Sequence, residues 1–290
     1  MEATVNGARL YYETFGDESA PAVVILHGGP GVGDCRDRVL DCGALQDEYR
    51  LLFYDARGSG RSEDKPPYTH DQWVADVDEL TRQVGIDRFA LIGHSYGGFV
   101  SQEYALQHQH RLTQLVLVDT APSTVENEES IRRALAADLP GIEEGWLRKL
   151  FEGRVDSNEE MRVMWELLLP LYFEGPFDPS LPKEIAAQTS YHHETHNYAF
   201  SVNNPSYDVR PRLGEIQVPT LVICGGNDWI TPLSISETIV AAIPDARLEV
   251  FDRSGHMPMI EEPEKFISVL RSFLGSSVER PIGPGRAAVA

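Results

Sequence analysis

Ser95 stands at the centre of Gly93-His94-Ser95-Tyr96-Gly97, with Gly98 next. A serine between closely spaced glycines can sit on a sharp, strained turn that lifts its hydroxyl clear of the backbone. That hydroxyl is a weak nucleophile until a base takes its proton. His256, in Ser254-Gly255-His256, is the candidate base. An imidazole in that role needs a carboxylate to hold its tautomer and to stabilise its cation. Asp228, just past Gly225-Gly226-Asn227, is the candidate, and Asp119, after Leu115-Val116-Leu117-Val118, is its rival. The remaining requirement is a pair of backbone N–H groups for a developing oxyanion. Tyr96, at the start of the element after Ser95, supplies one, and Gly29 of Gly28-Gly29-Pro30-Gly31 the other. Together these residues spell acyl transfer through a serine.

The elements that must position them alternate. Ala22-Val23-Val24-Ile25-Leu26, Leu51-Leu52-Phe53-Tyr54, Phe89-Ala90-Leu91-Ile92, Leu115 to Val118 and Leu221-Val222-Ile223-Cys224 are continuous apolar runs. Such runs predict strands buried on both faces. Arg247 to Phe251 reads as a further strand. Between them lie segments of helical character: Asp71 to Leu80, with Trp73, Val77 and Leu80 on one face, then Phe99 to Leu106, Leu233 to Ile243 and Pro263 to Leu274. Ahead of them, Ala8 to Gly16 with Asn6-Gly7 before it predicts a hairpin. The alternation predicts an α/β fold, a mostly parallel sheet with helices on both faces. Sites in such folds lie beyond the carboxyl ends of the strands. His27 to Gly31, Asp55, Ser95, Asp119, Asp228 and His256 all fall there, and that convergence is the main argument for one active site.

The alternation stops between residues 122 and 212. This stretch opens with Glu126, Glu128 and Glu129, has helical spacing over Ile142 to Phe151 and Met161 to Tyr172, and is cut by prolines. It predicts a helical cap between a first core segment, 1–121, and a second, 213–275. Residues 276–290, rich in Gly, Pro, Ala and Ser, read as a disordered tail. His192 and His196 could share a helix face, but His193-Glu194-Thr195-His196 is one residue short of the zinc-protease spacing. No metal and no cofactor is expected.

The chain has 290 residues and a net charge of −20. Such a surface repels phosphate backbones and anionic lipid, so neither nucleic acid nor membrane is an expected partner. Cys35, Cys42 and Cys224 make no disulfide framework, and the N-terminus has no basic and apolar leader. No apolar run reaches the roughly 18 to 20 residues of a membrane span. A cytoplasmic protein acting on a small molecule or short peptide is expected; the oligomeric state is left open.

The chain resembles the α/β-hydrolases of the proline iminopeptidase family. The resemblance rests on His27-Gly28-Gly29-Pro30-Gly31, Tyr54-Asp55-Ala56-Arg57-Gly58-Ser59-Gly60-Arg61-Ser62, Gly93 to Gly98, Asp228 and His256. The order Ser, Asp, His is that of the fold, and it favours Asp228 over Asp119. The resemblance implies release of an N-terminal residue, often proline, from small peptides or arylamides. It also implies cap glutamates that bind the substrate amine, for which Glu194 and Glu166 are the candidates. Ala56 departs from the glutamine usual in the family. An esterase, lactonase or amidase acting on a small metabolite shares the chemistry, and a non-catalytic ligand-binding protein would share the fold.

Overall fold

A computed structural model describes residues 1–125, 127–175 and 180–276. The stretch read as a tail, from residue 277 onward, and Glu126 lie outside the described residues. Among the described residues eight strands form one sheet: β1 (Glu2–Val5), β2 (Ala8–Phe15), β3 (Ala22–Leu26), β4 (Arg50–Tyr54), β5 (Phe89–His94), β6 (Leu112–Val118), β7 (Thr220–Gly225) and β8 (Ala246–Phe251). Their spatial order is β1-β2-β4-β3-β5-β6-β7-β8. From β4 to β8 all neighbours are parallel. The expected hairpin is the antiparallel pair β1–β2, turned at Asn6 and Gly7, both with positive φ. Its second strand lies antiparallel on β4 and closes that flank of the parallel core.

The apolar runs are buried on both faces because their side chains alternate between two cores. Val24 and Leu26 of β3 pack with Trp73, Val77, Leu80 and Tyr104 on one side. Val23 and Ile25 pack with Cys35, Phe266 and Leu270 on the other. Helices His70–Gln83, Tyr96–His108 and Leu233–Ala242 cover the first face; Cys35–Cys42 and Pro263–Gly275 cover the second. Between β6 and β7 the described chain forms short helices, among them Asn127–Ala136, Glu144–Phe151, Asn158–Leu168 and His193–Tyr198. They build a third apolar cluster, with Leu147, Phe151, Leu168 and Tyr172, that reaches Trp229 after β7.

The loops that frame the site are pinned from below by buried charge. Asp55 accepts from the Cys35 and Arg61 amides, each at 2.9 Å, and from Arg61 Nε at 2.8 Å. Arg57 donates from Nε to Asp76 at 2.7 Å, with both side chains almost wholly buried. It also donates from Nη2 to the Val5 and Asn6 carbonyls. Removing the carboxylate leaves a buried guanidinium with no counter-charge. Asp76→Ala is therefore expected to cost about 3 to 5 kcal/mol of stability, read as a lowered denaturation midpoint. A change below about 1 kcal/mol would mean that the backbone carbonyls of Val5, Asn6 and Lys65 suffice.

Candidate active site

Ser95 occupies φ 52°, ψ −121°, a conformation that costs a non-glycine residue about 1 to 3 kcal/mol and persists only when its surroundings over-determine it. They do here. Its N–H donates to the Val118 carbonyl at 2.9 Å, and its carbonyl accepts from Thr120 Oγ1 at 2.7 Å and from the Gly98 amide at 2.9 Å. A Cβ on Gly93 would meet Ser101 Oγ at 2.2 Å, and one on Gly97 the His27 carbonyl at 2.5 Å. The turn thus needs both glycines for close approach. Tyr96 opens the helix Tyr96–His108, so its N–H belongs to the amides that a helix start leaves without an intrahelical acceptor.

The strand order reverses between β3 and β5, which is where a crevice opens in such sheets. The Gly28–Gly31 loop stands across it from Ser95: a Cβ on Gly28 would lie 2.9 Å from the serine Cβ. Gly29 has φ +54°, and its carbonyl accepts from the Val32 amide at 3.0 Å. The loop is tied on two further sides. His27 Nε2 accepts from the Ala56 amide at 3.0 Å, which leaves Nδ1–H to donate to the Gly28 carbonyl at 2.8 Å. Gly31 O accepts from the His192 amide at 2.8 Å, and the Gly33 amide donates to Ser190 O at 3.0 Å, stitching the loop to the cap.

His256 and Ser95 share the wall of one cavity of about 490 Å³. Ring and backbone of His256 are held by four contacts. Nδ1 lies 2.7 Å from Asp228 Oδ2, and the His256 amide donates to the Tyr172 carbonyl at 2.9 Å. The Tyr172 ring stands edge-on to the imidazole, with centroids 5.2 Å apart. His94 Nε2 lies 3.1 Å from the His256 carbonyl. Burial, reinforced by Arg38 and His256, pushes His94 well below the usual histidine range, so it is neutral and donates. With Asp228 on Nδ1, the neutral imidazole carries its proton there and leaves Nε2 as the basic nitrogen.

The two carboxylates near this ring differ in how many donors they have. Asp228 accepts from the Ile230 amide at 2.9 Å, the Thr231 amide at 3.1 Å, Thr231 Oγ1 at 2.6 Å and His256 at 2.7 Å. Burial alone would raise its pKa, but His256 and these bonds outweigh it and bring it below the usual range. Asp119 is equally buried, at positive φ, and its Oδ1 accepts from the Gly225 amide at 2.8 Å. Among the described residues its Oδ2 has no hydrogen-bond partner. Burial and the nearby Asp228 charge raise its pKa well above the carboxylate range. The two environments therefore push the carboxyls apart, Asp228 toward the ionised form and Asp119 toward the protonated one. Ligating atoms of Asp119, Asp228 and His256 come within 4.8 Å of one another.

A second, narrower cavity of about 120 Å³ also touches Ser95, Gly29 and Tyr96. Its wall is apolar and rich in aromatic rings, Phe151, Trp165, Phe200 and Trp229 among them. The cap glutamates are not brought there. Glu194 is exposed, because its helix turns Thr195 and His196 inward instead. Glu166 pairs with Arg162 at 2.9 Å. Neither walls either cavity. The cap histidines are engaged one by one: His192 with Asp64 and Gly60, His196 with the Leu150 carbonyl. Sequence reasoning gave no role to His94, Tyr172, Thr231 or Trp229. Only His94 had a signal, its place beside Ser95; the others reach the site by packing.

Among the described residues no helix is long and apolar enough to cross a membrane. Residues 21–263 match the model of the alpha/beta hydrolase fold family. The chain is 34% identical to proline iminopeptidase PfmaB of Pestalotiopsis fici, over 93% of this chain and 97% of that one. It is 27% identical to a proline iminopeptidase of Clostridioides difficile, over 93% and 96%. Among solved structures, a hydrolase from Pseudomonas aeruginosa superposes with TM-score 0.75 at 27% identity, covering 95% of this chain and 98% of that one. The enol-lactonase of Burkholderia xenovorans superposes with TM-score 0.76 at 26% identity, covering 95% and 100%. With a strained serine turn at the sheet's switch point and a buried Asp–His pair beside it, the chain belongs to the α/β-hydrolase fold family and, within it, to the proline iminopeptidase family.

Proposed function

We propose that the protein is a serine hydrolase of the prolyl aminopeptidase type, which releases an N-terminal residue from small peptides through an acyl-enzyme. The observation that carries this reading is the 2.7 Å His256–Asp228 contact in a ring that shares a cavity wall with Ser95. His256 Nε2 takes the Ser95 proton as Oγ attacks the substrate carbonyl. The oxygen that becomes negative lies between the Gly29 and Tyr96 N–H groups. Asp228, already ionised, stabilises the imidazolium without taking its proton. When the tetrahedral intermediate collapses, the C–N bond breaks and the imidazolium gives its proton to the leaving amine. Water then repeats the sequence on the Ser95 ester, releasing the free acid and restoring the hydroxyl. The peptidase reading draws on the relatives that carry the name proline iminopeptidase.

A second reading, an esterase or lactonase of small molecules, is favoured by the apolar cavity and by the likeness to the enol-lactonase. A substrate panel separates the two. The peptidase reading expects turnover of prolyl arylamides and release of proline from prolyl dipeptides. Turnover of aryl esters or lactones with none of any aminoacyl arylamide would leave the second reading in its place.

A further inference from the structure

In the proposed mechanism His256 has the narrowest tolerance in position, since it serves Ser95 first and the leaving amine afterwards. It follows β8 on a small-residue turn, Ser254-Gly255. Two adjacent carboxylates fold back onto that turn from the end of the helix Pro258–Glu261. Glu262 stays within it, accepting from the Arg253 amide at 3.2 Å and from Ser254 Oγ at 3.0 Å. Glu261 reaches two parts of the chain. Its Oε2 accepts from the Gly255 amide at 2.7 Å, and its Oε1 accepts from the Glu174 amide at 2.7 Å.

Glu174 belongs to the cap. In the same stretch Tyr172 takes the His256 amide on its carbonyl at 2.9 Å and sets its ring edge-on to the imidazole. A Cβ on Gly255 would lie 2.7 Å from that carbonyl oxygen, so cap and turn are in close contact. Tyr172 walls both cavities at Ser95, and Phe173 walls the wider one. One carboxylate thus joins the segment that lines the cavities to the residue before the base. The Glu174 end is open to water, where a hydrogen bond replaces one to solvent and adds little stability. What it sets is register. Each carboxylate oxygen takes one N–H; an amide in its place would turn an NH₂ group toward one of the two donors.

We propose that Glu261 is a positioning residue: it clips cap segment 172–174 to the Gly255 amide, so that His256 is held in line with Ser95 while the cap is seated. The inference rests on the serine-hydrolase reading and adds to it a link between cap and base.

The rate constant for labelling by a fluorophosphonate probe in excess reads the base without need of a substrate. Ser95 Oγ attacks phosphorus, fluoride leaves and His256 takes the proton. That rate constant does not depend on how much of a variant is folded, whereas the labelling end point does. Glu261→Gln is expected to lower the rate constant about tenfold, within the roughly hundredfold that a misplacement of about 1 Å can cost. End point and melting temperature should stay close to the parent's. Glu174→Pro removes the cap amide and leaves Glu261 in place; Phe173, at φ −125°, ψ 148°, already has the backbone that precedes a proline. It is expected to slow labelling by a like factor, and the double variant to be no slower than Glu261→Gln alone. If Glu261→Gln leaves no folded protein, Glu174→Pro carries the test, since it keeps the carboxylate.

A Glu261→Gln rate constant equal to the parent's would overturn the proposal; joined to a lowered melting temperature, it would make Glu261 a prop of the fold. So would a Glu174→Pro variant that labels as fast as the parent, or single losses that multiply in the double variant, because Glu261 would then not act through the cap amide. Labelling that vanishes in Ser95→Ala keeps the serine-hydrolase reading standing whatever Glu261 does. A parent protein that is not labelled would fail that reading and this inference with it.

Discussion

Ser95→Ala is expected to lower kcat by on the order of 10⁶-fold and to abolish labelling by a fluorophosphonate probe, with the fold unchanged. Losing the nucleophile of a serine–histidine–aspartate set costs about that much, because the three groups act as a unit. The loss should fall on turnover and not on architecture. Alanine inherits the same strained φ of 52° at position 95, and the bonds that hold the turn come from backbone atoms of Ser95, not from its hydroxyl. The cavity walls around it stay in place, so ground-state binding should persist. Thermal unfolding of the variant, set beside its kinetics, separates the two effects. Turnover within tenfold of the parent protein, or undiminished labelling, would remove Ser95 from the reaction and with it the proposed mechanism.

Asp228→Asn is expected to lower kcat about 10⁴-fold, the size of effect seen when an amide replaces the carboxylate behind a catalytic histidine. Asp119→Asn should cost less than tenfold. The asymmetry follows from the four donors on Asp228 against the hydrogen bond that Asp119 accepts from the Gly225 amide. Asparagine at 119 keeps an acceptor for the Gly225 amide and mimics a carboxyl that is already neutral. Equal losses from the two variants would mean that both carboxylates serve His256.

The same pair shapes stability against pH. Asp228 has a folded pKa below its unfolded value, so it contributes stability above about pH 3.9, which is lost as pH falls through the folded pKa. Asp119 has the opposite sign. Its folded pKa is raised, so the fold loses stability relative to the unfolded chain as pH climbs from about 3.9 toward that raised value. Asp119→Asn should therefore gain stability relative to the parent between pH 4 and pH 7. A melting-temperature difference between the two that stays constant over that range would show that Asp119 is not held neutral.

The strands were legible because a sheet buried on both faces leaves little choice of residue. The runs at Val23 to Leu26, Leu51 to Tyr54 and Leu115 to Val118 are apolar without alternation, and each became a central strand with its side chains split between two cores. The polar residue just beyond each strand was legible for a related reason: parallel strands share one carboxyl edge, so residues distant in sequence arrive together. Ser95 and Gly29 also announced themselves by the glycines around them. The cap was not legible in this way. Its helices are short, and which face each turns inward is decided by packing. Glu194 carries a charge next to residues at helical spacing, yet the helix turns Thr195 and His196 inward and leaves the glutamate in water. Glu166 could as well have faced substrate as its own neighbour Arg162 four positions back.

Sequence alone thus determined the parallel sheet and the carboxyl edge beyond which Ser95, Asp228 and His256 lie, because local spacing and strand direction decide those. Only the tertiary structure decided which aspartate keeps its charge, since that depends on donors at 230 and 231 and on a neighbour over 100 positions away. It also decided that the narrower cavity at Ser95 is walled by aromatic rings, Phe151, Trp165, Phe200 and Trp229 among them. A pocket's wall is a sum over side chains from several elements, and no run of adjacent residues spells that sum.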